Sequence, residues 1–267
     1  MQRVMREIAQ AKKHFSKLPF FQFLRTHAVT PINRLAFYPC MAPFILAFSD
    51  LNRFLLSDEA ARDPRRRFMA ARAFEDDPRW RSYLDDFTKL GFDKLGSTSS
   101  VLRLMFRDTT RVGRMLGTRL AQLLHGASII EQLVIVAAIE EAGEVMFDAT
   151  AKLASEIETS SGLQLCYLGK FRFTLDGGHE LRDGDRQLFE AVEIDSNLRG
   201  RCLELAFLVF DEFADWTNEL LTFAMAEIAR QRLAREERQA PATESNYSPP
   251  PAIPQSAVSA SPPRMPR

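Results

Sequence analysis

SIIEQLVIVAAIEEAGEVMFDATAKLASEIETSSG, residues 128–162, is the stretch on which the fold class turns. Ser128 followed three residues later by Glu131 is a capping-box pattern, in which each side chain satisfies an orphan backbone N–H at a helix start. Behind it, Leu133, Val136, Ala137, Met146, Phe147, Thr150, Leu153 and Ala154 recur at helical spacing. The expectation is one long helix to about Ile157, stopped by Gly162. On that helix Glu140 and Glu144 fall on the same side as the apolar stripe. A carboxylate turned inward needs a cation, a metal or a proton, which makes these two acids the first candidate functional residues.

The remaining segments read as helices too. Residues 1–17 are amphipathic and end before Pro19. Pro31 is well placed at a helix start, and the apolar residues from Leu35 to Phe54 imply burial on more than one side, with Pro39 and Pro43 kinking or splitting the segment. Residues 64–90 carry apolar and aromatic positions at helical spacing up to Gly91, with Pro78 in the middle. Residues 101–106, 111–124 and 183–191 give further helical pieces, 163–173 is another element, and Asp195-Ser196 caps a last long helix to about Arg235. Apart from a weak alternation at 171–175, no strand pattern appears. The fold class expected is therefore all-α, one bundle of seven or eight helices over residues 1–239. Residues 240–267 hold eight of the fourteen prolines and no glycine, and are expected to be a disordered, Pro/Ser-rich tail.

Composition narrows the function classes. Thirty-five basic and thirty-five acidic residues cancel, so nothing global points to nucleic acid or a membrane surface. The amphipathic N-terminus is not a secretory signal, and no apolar run reaches the roughly 18 residues of a membrane span. Cys40, Cys166 and Cys202 are scattered and odd in number, which fits buried small hydrophobes in a reducing cytoplasm. His14, His27 and His125 match no ligand pattern. Trp80, Tyr83, Phe87, Phe213 and Trp216 are expected in the core. Phosphate loops and Ser/His/Asp or Cys/His arrangements are missing from the sequence.

The most unusual chemistry lies in RAFEDDPRWRSYLDDF, residues 72–87, where acids, arginines and aromatics crowd around Pro78. Together with LAFYPCMAPF (35–44), FSDLNR (48–53), LDDFTKL (84–90), AIE (138–140), GEV (143–145), GGH (177–179) and VFDEF (209–213) with Trp216, it resembles the heme-oxygenase-like non-heme diiron oxidases and oxygenases, the iron-containing redox enzymes. The resemblance implies a heme-oxygenase-like bundle and a metal set drawn from three segments. Glu75 matches the first glutamate, with Pro78 where that family has a histidine. Glu140 matches the second, Glu144 being the alternative. On the third segment Asp176 and His179 match, while Arg172 stands in a histidine position. Proline and arginine do not coordinate iron, so the implied site is one iron, weakly held, on Glu75, Glu140, Asp176 and His179, with Arg172 neutralising the acids.

Two functions follow. The first is a divergent iron-dependent oxidoreductase acting on a small, amino-acid-like or fatty metabolite of secondary metabolism. The second is a pseudoenzyme, a helical binding or partner subunit that keeps the scaffold. A homodimer or a partner enzyme is implied in either case.

Overall fold

The computed structural model of the chain describes residues 1–53, 62–76, 79–94, 97–169 and 192–239, with side chains at 72–76 excepted. Among these residues the secondary structure is helical and there is no strand, so the protein is all-α. The weak strand pattern at 171–175, the short helix expected at 183–191 and the tail from 240 lie outside the described residues.

Helix starts follow local chemistry. α1 (Gln2–Phe15) buries Val4, Ile8 and Phe15 along one stripe. α2 (Pro19–Arg25) and α3 (Pro31–Arg34) each open on a proline, whose missing N–H is an orphan at that position anyway. Pro39 and Pro43 split the apolar segment that follows. A 3-10 turn, Tyr38–Met41, precedes α4 (Ala42–Leu51). The segment 64–90 contains α5 (Pro64–Asp76) and α6 (Arg79–Lys89), and residues 77 and 78 between them lie outside the described residues. α7 (Thr98–Met105) and α8 (Arg111–Leu124) follow.

α9 (Ile129–Ser161) is the long helix expected at Ser128. Both halves of the capping box are present: the Glu131 N–H donates to Ser128 Oγ at 3.4 Å, and the Ser128 N–H donates to Glu131 Oε2 at 2.7 Å. Gly162 closes it with φ of +71°, a left-handed backbone that glycine alone adopts without cost. The described part of the next segment, 163–169, is irregular rather than a further regular element. α10 (Ser196–Gln239) starts where Asp195 Oδ1 accepts the Leu198 N–H at 2.8 Å and runs 44 residues, about 66 Å at 1.5 Å per residue.

α9 is the centre of the packing. It lies against α10, α1, α2, α3, α5 and α8, and residues 133–139 are buried without interruption. α10 in turn packs against α1, α2 and α8, and α4 against α8. Two glycines of α8 permit the closest of these approaches. A Cβ on Gly117 would stand 2.6 Å from the Ala47 Cβ of α4, and one on Gly113 would stand 2.8 Å from the Trp216 indole nitrogen of α10. Polar ties fix the angles. Arg34, 1% exposed, donates to the Leu24 carbonyl at 2.6 Å and pairs with Glu156 of α9. Glu219 of α10 accepts the Val112 and Gly113 N–H groups, each at 2.8 Å, and so caps α8 from across the core. No helix among the described residues is long and apolar enough to cross a membrane.

Gly117→Ala is expected to push α4 from α8 and cost roughly 1–3 kcal/mol by urea unfolding. A second expectation concerns acid. The Arg201 side chain, 2.9 Å from Glu131, and then the Ser128 N–H hold the Glu131 carboxyl below its ordinary value. A carboxyl lowered by folding contributes stability above its unfolded pKa, near 4.5, and loses it as pH falls through the folded value. Melting temperature followed from pH 6 to about pH 3 should therefore drop less steeply in Glu131→Gln than in the parent.

Candidate functional site

Four helices face one another across a small internal space. α4 presents Phe44, Ile45, Phe48 and Ser49 to a cavity of about 90 Å³. α9 faces it with Ile139, Glu140, Gly143, Glu144, Met146 and Phe147. Phe213 and Trp216 of α10 supply the third wall, Arg79 and Trp80 at the start of α6 the fourth, and Tyr167 closes one end. The walls are mostly aromatic and aliphatic. Phe44 meets Trp216 at 4.7 Å between ring centres and Phe213 at 5.7 Å, edge-on, so the apolar side is a rigid packed surface.

Four polar side chains interrupt it: Ser49, Arg79, Glu140 and Glu144. Both acids singled out on α9 thus reach the same cavity, as the helical spacing of four requires. They are not equivalent. Glu144 pairs with Lys12 of α1 at 2.7 Å, and the same ammonium holds Glu141 at 2.6 Å. Burial alone would lower the Lys12 pKa, but the two carboxylates outweigh it and hold the group above its ordinary value. Lys12 is a feature the sequence did not signal, since only the docking of α1 on α9 brings it there.

The end wall is held by a second unforeseen group. Asp86 of α6 is fully buried, and its carboxylate accepts three backbone N–H groups, from Cys166 and Tyr167 at 2.7 Å and from Leu168 at 3.2 Å. Burial pushes its carboxyl above the usual range, and the three N–H groups pull against that shift. Lys89, one turn on, donates to the Gln164 carbonyl at 3.0 Å. The irregular segment after α9 is therefore fastened to α6, and Tyr167 is fixed as a wall. Tyr83 stacks on Tyr38 at 4.6 Å, and each hydroxyl donates to the other's backbone carbonyl, at 3.0 and 2.8 Å. Burial raises both phenols well above their ordinary values, so they stay neutral.

The expected metal ligands divide by what is described. Glu140 lies on the cavity wall. Glu75 belongs to α5, which packs on α9, but its side chain is outside the described residues, as are Pro78, Arg172, Asp176 and His179. Among the described residues no three His, Cys, Asp or Glu side chains gather as a metal site. The described donors by themselves do not fit iron: Glu140 is one oxygen ligand, and Glu144 is engaged by Lys12. His14, His27 and His125 are exposed and away from the cavity. Tyr83, Phe213 and Trp216 are buried, with Trp80 and Phe87 packed against the core, though Trp80, Phe213 and Trp216 also line the cavity.

No protein-family model matches the chain, and no curated protein matches its sequence.

Asp86→Ala orphans three buried N–H groups at once and is expected to cost on the order of 3 kcal/mol by urea unfolding. Lys89→Ala, which removes one exposed donor, should cost less than about 1 kcal/mol.

Proposed function

We propose that the cavity between α4, α6, α9 and α10 binds a small, predominantly apolar metabolite. The observation that carries this reading is the convergence of Glu140, Glu144 and Arg79 on walls that are otherwise aromatic and aliphatic. Apolar walls supply affinity through area removed from water, and a few polar groups set orientation. A space of about 90 Å³ suits a single ring or a short chain, with any longer part extending toward the mouth.

Both tryptophans of the chain, Trp80 and Trp216, line this cavity. Tryptophan emission is therefore a built-in reporter of occupancy. Titration with phenol, hexanoate, phenethylamine and phenylalanine is expected to shift emission saturably for at least one of them. Gly143→Val, placed where a Cβ has only Phe147 within 4 Å, at 3.8 Å, should fill the space and weaken that response about tenfold. Silence of all four probes, or full binding in the valine variant, would overturn the reading.

A second reading adds iron-dependent oxidation of that metabolite, and the place of Glu140 on the cavity wall favours it. The resemblance to heme-oxygenase-like iron enzymes would put Glu75, Asp176 and His179 beside it. Iron would supply the redox chemistry, and the chain's own residues would bind and orient the metabolite. Loading with ferrous iron under anaerobic conditions decides between this and a pseudoenzyme that only binds. Near-stoichiometric iron, lost in Glu140→Ala and in His179→Ala, supports the oxidoreductase. Absence of iron after loading leaves a binding or partner subunit.

A further inference from the structure

A second, larger space lies between α7 and α10. About 550 Å³ separates α7 from the second half of α10, and it shares no lining residue with the first cavity. α7 turns Ser100, Val101 and Leu104 toward it, with Arg107 one turn further on, a spacing that sets them in one stripe. α10 answers with Glu219, Thr222, Phe223, Ala226, Glu227 and Arg230, again one helical stripe. Pro39 and Phe92 form the floor. Two facing stripes of this kind normally interdigitate. Here α7 has no buried residue at all, and Leu102 and Phe106 on its other side are 52% and 69% exposed. Its position is nonetheless fixed at one end: Thr110 Oγ1 donates to the Leu104 and Met105 carbonyls at 3.0 Å, and Arg114 donates to the Met105 carbonyl at 2.7 Å while covering the Phe106 ring.

Two acids and two bases line this space, and they differ in how they are engaged. The Glu219 carboxylate is spent on the two N–H groups that open α8. Glu227 and Arg230 pair with each other at 2.5 Å. The Arg107 guanidinium has no hydrogen bond or ion pair among the described residues, and Arg107 is exposed at the lining of this space. An apolar floor of Pro39, Phe92 and Phe223 next to an uncompensated cation suits one class of molecule.

We propose that the space between α7 and α10 is a second ligand site, taking an amphipathic anion whose hydrocarbon body fills the gap under α7 and whose anionic head meets Arg107. A medium-chain carboxylate is the simplest member of the class. This assignment does not rest on the function proposed for the first cavity.

Displacement of a dansylated undecanoic acid from the full chain tests it, with decanoate, decanol and decylammonium as competitors. Decanoate is expected to compete about tenfold better than decanol or decylammonium, because only it carries a negative charge to pair with the guanidinium. Arg107→Glu, and Ala226→Phe, which fills the gap from α10, should each weaken decanoate about tenfold. Both residues are exposed, so neither change threatens the core. Gly143→Val should leave decanoate binding unchanged, which separates this site from the first cavity. The proposal is overturned by a probe that does not bind, by decylammonium matching decanoate, or by Arg107→Glu and Ala226→Phe binding as the parent does. Loss of binding in Gly143→Val alone would assign the molecule to the first cavity and overturn it equally.

Discussion

Seven successive residues of α9, 133–139, are buried, and α9 is the helix against which most of the described bundle packs. A helix apolar on one stripe is satisfied by one neighbour, whereas a helix apolar around its circumference must be surrounded. α1, α2, α3, α5, α8 and α10 supply the surround. Seven residues are nearly two turns, so no face of that section is left for solvent. The apolar part of α9 ends near Ile139, and Glu140 begins the section in which carboxylates share the helix with core residues. The cavity sits at this transition.

Close packing elsewhere relies on small residues and on polar groups that reach across the core. Gly113 and Gly117 bring α8 to within backbone range of α10 and α4. Glu219 then serves as the cap that the local sequence of α8 lacks, since Thr110 makes no side-chain cap bond there. Asp86 does the corresponding work for the segment after Gly162, satisfying three backbone N–H groups with one carboxylate. Each is a carboxylate retained for its hydrogen bonds, Asp86 fully buried and Glu219 half-buried, and removal of either leaves several orphan groups at once. The two cavities differ in the same terms. The first is small, with rigid aromatic walls and polar groups tied into the bundle. The second lies under a helix that buries nothing, and its cation at Arg107 is uncommitted.

Local rules were enough for the helix ends and the class. Ser128 with Glu131, Asp195 with Leu198, prolines at positions 19 and 31 and glycine at 162 all act within a few residues of themselves, and each one starts or stops a helix as its chemistry requires. The spacing of four between Glu140 and Glu144 likewise sets both on one cavity wall, because a single helix carries that geometry. Apolar positions at helical spacing on both sides of Pro78 also marked α5 and α6 as helical. The implied ligands on other segments could not be placed by such rules at all, since a shared metal requires several helices to meet at one point.

By itself, then, the sequence determined an all-α protein, the limits of its long helices and the inward side of α9, since caps, breakers and periodicity act over one or two turns. Tertiary structure alone decided that Lys12 would neutralise Glu141 and Glu144, that Asp86 would fasten a segment eighty residues away, and that Glu219 would cap α8. Partners so distant in sequence leave no periodic trace. They meet because an encircled α9 leaves its neighbours few positions, and a buried or half-buried carboxylate that meets backbone N–H groups there is retained for its hydrogen bonds.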